Sequence, residues 1–212
     1  MQDFKRELIK YGRKIFAGKF VIGSGGNISV RSGNKVYIKA SGVSLENSCS
    51  ADYNEVNLKT GKAICFNGPC SVEIPMHLAC YRARPEIVAV VHTHPVYGII
   101  LGMAGIKLGY ISYEFMFTMK SEVPTRNYKS AGSAALAGAV GRTIKKNNGA
   151  LLKNHGIIVV GVSLAEAYEW SVGFVRAAKI CIFSGLLGGL SLIPKKELKR
   201  LSGISASSSI RP

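Results

Sequence analysis

A chain of 212 residues, 47% hydrophobic, excludes a disordered polymer and has enough core for one domain but not two comfortable ones. Lys and Arg number 28 against 12 Asp and Glu, and the resulting formal charge of +16 favours anionic partners. That charge is spread along the chain, apart from Lys195-Lys196-Glu197-Leu198-Lys199-Arg200, and no nucleic-acid motif accompanies it, so a solvated basic surface is expected rather than a nucleic-acid site.

The start, Met1-Gln2-Asp3-Phe4-Lys5-Arg6-Glu7, is charged and lacks a signal-peptide pattern. Phe4, Leu8, Tyr11 and Ile15 recur at helical spacing and predict an amphipathic helix over 4–17, capped by Asp3. Gly23-Ser24-Gly25-Gly26-Asn27-Ile28-Ser29-Val30-Arg31 follows. Glycines let a backbone approach an anion closely. No strand precedes this stretch and one follows it, so it is not a dinucleotide fingerprint; it reads equally as a turn into a strand or as a phosphate loop. Val36-Tyr37-Ile38-Lys39-Ala40 alternates as a strand that ends in Ser41-Gly42. Glu55 to Leu58 and Lys62 to Phe66 predict a hairpin about Thr60-Gly61, and Asn67-Gly68-Pro69 a turn. Ser71 is placed to cap a helix reaching about Arg84, with Pro75 in its first turn.

Further on, Leu108 to Met119 is apolar and aromatic and is expected to be a strand plus loop. Ser130 is expected to cap a helix over 131–146 that Asn147-Asn148-Gly149 ends. Ile157 to Val160 is strand-like, and Ser163-Leu164-Ala165-Glu166 is a capping box opening a helix to about Gly185, with Trp170 and Phe174 four apart. The late apolar stretch Ile180 to Ile193 is short and interrupted by Gly and Ser, so no membrane span is expected and the cytoplasm is the expected compartment. The domain is expected to cover 1–190, leaving 191–212 as a basic, Ser-rich tail. Five cysteines (49, 65, 70, 80, 181) with no Cys-x-x-Cys pair are expected to be reduced thiols, not a disulfide framework or a thiolate zinc site.

The chemistry concentrates at Val88-Ala89-Val90-Val91-His92-Thr93-His94-Pro95, a β-branched run bounded by Pro85 and Pro95. Residues two apart on a strand point to one side of the sheet, so His92 and His94 are aimed together. The remaining histidines are His77 and His155, the latter beside the run from Ile157 to Val160. Three imidazoles round Zn²⁺ with an open fourth position is a catalytic arrangement; imidazole and carboxylate would also accept Mn²⁺, Co²⁺ or Fe²⁺. Glu73, in the first turn of its helix, suits either a capping role favoured by the helix dipole or this site. His77, one turn later, reads as structural.

Ser71-x-Glu73, His92-Thr93-His94 and Asn154-His155-Gly156 together resemble the class II sugar-phosphate aldolase family, which includes fuculose-phosphate aldolase, rhamnulose-phosphate aldolase and ribulose-phosphate 4-epimerase. The resemblance runs from the first helix to about Gly185. It implies a three-layer α/β/α fold with a mainly antiparallel central sheet, assembled as a homotetramer with active sites at subunit interfaces. Zn²⁺ would be held by His92, His94 and His155, with Glu73 as catalytic acid/base and a further metal ligand. Gly26, Asn27, Ser41, Gly42 and Ser71 would hold the substrate phosphate, although Val72 stands where a second serine would grip it. Tyr113, ahead of Tyr128, matches a tyrosine lent to the neighbouring subunit as acid/base at the aldehyde oxygen.

The implied reaction is reversible cleavage of a ketose 1-phosphate, such as L-fuculose 1-phosphate, to dihydroxyacetone phosphate and an aldehyde such as lactaldehyde. Three alternatives stay open. The 4-epimerase usually has Asp in place of Glu73 and a late tyrosine, whereas the last tyrosine here is Tyr168. A dehydratase of methylthioribulose phosphate also uses three His and a Glu. A non-catalytic binding module like the adducin head needs no metal ligands.

Overall fold

In the computed structural model, which describes residues 4–119, 121–194, 196–198 and 200, eight strands make one sheet. They are β1 (Asn27–Ser32), β2 (Lys35–Lys39), β3 (Tyr53–Asn57), β4 (Ala63–Ile64), β5 (Ala89–Thr93), β6 (Thr125–Arg126), β7 (Gly149–Leu152) and β8 (Gly156–Gly161). The spatial order is β4-β3-β2-β1-β5-β8-β7-β6, antiparallel throughout except for the β6–β7 edge pair. Around it lie α1 (Phe4–Ala17), α2 (Ile74–Ala83), α3 (Val96–Met103), α4 (Tyr113–Met119), α5 (Ala134–Ile144) and α6 (Leu164–Leu186). The expected α/β/α layering with a mainly antiparallel sheet is the one observed.

Strand period two divides the core. Val90, Ile158, Val160, Ala150 and Leu152 face α2 and α5, sharing a cluster with Met76, Leu78, Leu136 and Val140. Their neighbours face the other way: Ala89 and Val91 pack with Leu8, Ile15 and Leu164 from α1 and α6. Leu151, Ile157 and Val159 join Phe115, Trp170 and Phe174 from α4 and α6. Central β5 is buried at every position. His92 shares the parity of Val90, which turns it toward the layer that contains α2.

The helix over 4–17, the hairpin about Gly61 and the start of α6 agree with expectation. Ser163 Oγ accepts from Glu166 N at 3.1 Å, and the Glu166 carboxylate accepts from Val162 N at 2.7 Å, one residue earlier than a reciprocal box would place it. None of the described helices is long and apolar enough to cross a membrane. Asp3 and the tail from Ser202 lie outside the described residues.

Four local expectations are corrected. Ser133, not Ser130, caps α5, accepting from Leu136 N at 3.1 Å; Gly132 before it takes φ +75°, a conformation that cannot be helical. The stretch expected as strand plus loop carries α4, because Phe115, Met116 and Met119 are buried at helical spacing and Phe115 and Met119 pack on α6, where Gly173 leaves room for Thr118. Helix α2 starts at Ile74 with Glu73 at the N-cap position, and Ser71 Oγ accepts from Glu73 N at 3.2 Å just outside it. Cys65 and Cys70 form a disulfide: the Asn67-Gly68-Pro69 turn returns the chain so that their Cα atoms lie 5.6 Å apart. Cys49, Cys80 and Cys181 are free thiols.

Candidate active site and metal centre

Glu73 ends the loop into α2, His92 and His94 leave the end of β5, and His155 comes from the β7–β8 turn. One ligand atom from each of these four residues lies within 4.8 Å of the others. His92 Nε2 stands 3.1 Å from Glu73 Oε2 and 3.0 Å from His94 Nε2, and His155 Nε2 is 3.4 Å from Glu73 Oε1.

The backbone dictates these positions. Asn154 takes φ +57° in the turn, which brings His155 round to the end of β5. Gly156 lets β8 approach that end closely: a Cβ there would lie 2.7 Å from the His94 ring and nearer still to the Thr93 carbonyl. Replacing Gly156 with Ala is therefore expected to displace His94 and to destabilise the fold by about 1–3 kcal/mol, the usual cost of overpacking a tight site. Denaturant titration together with a metal-affinity measurement checks it; unchanged values of both would show that the β5 end yields freely.

The proton arrangement is that of a cation site. His92 is fully buried, and its Nδ1–H donates to the Ile157 carbonyl at 2.8 Å, which leaves the Nε2 lone pair facing the cluster. There it meets a carboxylate oxygen and a second imidazole nitrogen, a concentration of negative ends that a cation would relieve. Glu73 Oε1 is buried and accepts no hydrogen bond. A donor set of three imidazoles and one carboxylate, with an orphaned carboxylate oxygen, fits a divalent transition ion.

Burial opposes charge on Glu73, but His92, the Asn27 amide and His155 outweigh it and hold the carboxyl far below its ordinary range. Burial, reinforced by His92 and His155, pushes His94 down to about 3, and His155 is lowered mainly by burial as well. Both imidazoles thus stay neutral, the form that ligates a metal. Glu73 does not use its side chain for capping, since the α2 N-cap has no side-chain hydrogen bond.

Of the other expected residues, Gly26 and Asn27 border this cluster. Gly26 takes φ +66°, and a Cβ there would lie 2.9 Å from the His92 carbonyl. Asn27 pairs with His92 across β1 and β5, and its Nδ2 donates to Glu73 Oε2 at 2.8 Å. Ser41 N donates to the Pro69 carbonyl at 3.0 Å, tying the Ser41-Gly42 turn to the loop that carries Ser71. Tyr113 lies outside the cluster: it opens α4, 59% exposed, against Phe117. Tyr128 is likewise exposed, at 60%.

Two residues gain significance that sequence reasoning did not assign. Lys39, only 2% exposed, donates from Nζ to the carbonyls of Ser24 at 3.0 Å and Val43 at 2.6 Å, clamping the glycine loop to the Ser41-Gly42 turn. Burial pushes its pKa down to about 8. A lysine closing an apolar, alternating strand was the available signal. His77 is structural as expected, but fully buried and bonded through Asn27 toward Glu73.

Burial also pushes His77 down to about 3 from an ordinary 6.5. Between those values the unfolded chain binds the proton and the folded chain does not, so stability is full above about 6.5 and falls as pH drops through the window. The contribution approaches about 1.4 kcal/mol per pH unit. Denaturant midpoints of the metal-free protein at pH 7 and pH 5 are expected to converge partly in His77→Gln; an unchanged difference would mean that His77 plays no part in acid sensitivity.

Fold and cluster define a class: an α/β/α scaffold that presents three histidines and a glutamate at a strand end. Residues 6–182 match the family model described as Class II Aldolase and Adducin N-terminal domain. L-fuculose phosphate aldolase of Methanococcus maripaludis is 38% identical over 167 residues, covering 76% of this chain and 87% of that protein. A 5-deoxy-D-ribulose 1-phosphate aldolase of Bacillus thuringiensis is 30% identical over 204 residues and 95% of each chain. A solved L-fuculose 1-phosphate aldolase superposes with a TM-score of 0.90 at 26% identity, covering 97% of both chains. The chain belongs to the class II aldolase and adducin N-terminal domain family, and is an enzyme of its aldolase branch, a carbon–carbon lyase.

Proposed function

We propose that the chain cleaves a ketose 1-phosphate reversibly to dihydroxyacetone phosphate and a short aldehyde, with His92, His94, His155 and Glu73 holding Zn²⁺ or a similar ion. The observation that carries this reading is the cluster itself, four converging donors with one buried carboxylate oxygen left without a hydrogen bond. An ion held there would supply Lewis acidity to the substrate's carbonyl and hydroxyl oxygens. Breaking the bond between C3 and C4 leaves negative charge on the three-carbon fragment, and Glu73 is placed to move the proton to and from its carbon. The carboxyl is ionised in the free site, so it begins as the base.

Gly26, Asn27, Ser41, Gly42 and Ser71 would take the phosphate. What supports this is the tying of their loops to one another through Lys39, Ser41 and Asn27, beside a buried ammonium. Remote phosphate binding would orient the ketose for the chemistry. Tyr113, exposed and outside the cluster, would act in a neighbouring subunit's site, which makes a homotetramer with interfacial sites the matching assembly. A binding module has no use for four converging donors.

The relatives favour two sugars that differ in the aldehyde. Fuculose 1-phosphate would yield lactaldehyde, and 5-deoxyribulose 1-phosphate the two-carbon acetaldehyde. The test is release of dihydroxyacetone phosphate from each sugar, after chelation and after returning Zn²⁺. Metal-dependent release from either establishes the reaction, and the ratio of kcat/KM values selects the sugar. Metal binding without any triose phosphate would turn the reading toward the dehydratase or the epimerase.

A further inference from the structure

The geometry points to His77 as a positioning residue that fixes the direction of the Asn27 amide and, through it, the Glu73 carboxylate; this rests on the aldolase reading above. A hydrogen-bonded chain runs from Tyr81 OH to Ser29 Oγ at 2.7 Å, from Ser29 Oγ to His77 Nδ1 at 2.7 Å, from His77 Nε2 to Asn27 Oδ1, and from Asn27 Nδ2 to Glu73 Oε2 at 2.8 Å. His77 and Tyr81 stand four apart on α2, Ser29 and Asn27 two apart on β1, so the two elements meet along matching faces. Ser29, His77 and Tyr81 are at most 1% exposed and Asn27 is 6% exposed.

Chemistry allows these protons one arrangement. An ionised carboxylate only accepts, so the Asn27 NH₂ must face Glu73 and its carbonyl must face His77. A carbonyl also only accepts, so His77 Nε2 carries the hydrogen. The ring is fully buried between an amide carbonyl and a hydroxyl and carries one hydrogen, so Nδ1 is bare and Ser29 donates to it, while Tyr81 donates to Ser29. Every bond runs in one direction, from Tyr81 at the α2–β1 contact to Glu73 at the site.

The link that decides orientation is His77 Nε2–H. Without it the Asn27 amide can turn over, presenting its carbonyl to Glu73 Oε2 and repelling the carboxylate from its seat. With it, Oε2 is held and Oε1, which accepts no hydrogen bond, is the oxygen left for chemistry. His77 acts through Asn27 and touches neither substrate nor reacting atoms.

The test follows the proton that Glu73 moves. In D₂O the zinc-loaded enzyme, given dihydroxyacetone phosphate alone, removes a hydrogen from the carbon next to the carbonyl and returns deuterium, which mass spectrometry counts. His77→Leu is expected to slow this exchange about 10- to 100-fold, the size of effect that outer partners of metal-site residues exert. KM for dihydroxyacetone phosphate and zinc content per subunit are expected to change less than about twofold, within the spread usual for changes away from a contact. His77→Gln, whose amide N–H replaces Nε2–H, is expected to recover most of the exchange rate.

Equal exchange in the wild type and the leucine variant overturns the inference, as does a glutamine variant no faster than leucine. Should the leucine variant fail to fold, ring ¹⁵N shifts of the wild-type protein decide: a neutral Nε2–H tautomer at His77 supports the network, and an Nδ1–H tautomer overturns it. No exchange in the wild type would instead sink the aldolase reading, and the tautomer would then judge the network by itself.

Discussion

Replacement of Glu73 by Gln is expected to lower kcat for aldol cleavage about 10³-fold, within the range that a positioned acid or base contributes. Glutamine matches the shape of the carboxylate and still offers Asn27 Nδ2 an acceptor, so the bond now 2.8 Å long can persist. What is lost is the group that carries the proton. KM is expected to stay near the wild-type value, because the phosphate would be held elsewhere. The metal-free variant is expected to melt below wild type, since the folded site holds the carboxyl ionised well below its ordinary range beside His92 and His155, and glutamine forfeits that stabilisation. Steady-state rates and a melting curve check both halves. A variant within threefold of wild type would move the acid/base work to another residue.

His92→Ala is expected to abolish metal-dependent release of triose phosphate and to weaken Zn²⁺ binding by more than about 100-fold, beyond what loss of a ligand's outer partner costs. His92 has two roles. Its Nε2 faces the cluster, and its Nδ1–H binds the Ile157 carbonyl across the β5–β8 pairing. Alanine therefore also leaves a cavity in a fully buried place and removes that bond, at a cost of about 2–5 kcal/mol. Zinc content per folded chain, read beside circular dichroism, separates the effects. A folded variant that binds zinc as wild type does would remove His92 from the ligand set.

Short-range pattern was legible where it answers a local question. The spacing of Phe4, Leu8, Tyr11 and Ile15 foretold α1, Ser163 with Glu166 foretold the start of α6, and the two-residue period aimed His92 and His94 to one side. Periodicity failed where glycine or aromatic residues obscured it. Ser130 looked as good a cap as Ser133 until the φ of Gly132 is known, and the aromatics of α4 looked like strand until α6 supplied a face for them. The Cys65–Cys70 bridge was hidden for a similar reason, because a spacing states nothing about the turn that closes it.

The histidines, the acid and the antiparallel α/β/α plan were thus determined by the sequence, the last of these through its family likeness. Only the tertiary structure decided what each polar group faces. Glu73 could have capped α2, yet its carboxylate turns to His92 and His155; Asn27 could have been a loop amide, yet it joins Glu73 to His77, 50 residues apart from it in the chain. The place of Lys39 at the end of an alternating strand did not tell which backbone carbonyls, those of Ser24 and Val43, would enclose its ammonium. The reason is physical: side-chain period assigns a residue to a face, but a hydrogen bond needs a partner within about 3 Å, and distant segments meet at that precision only once the core has packed.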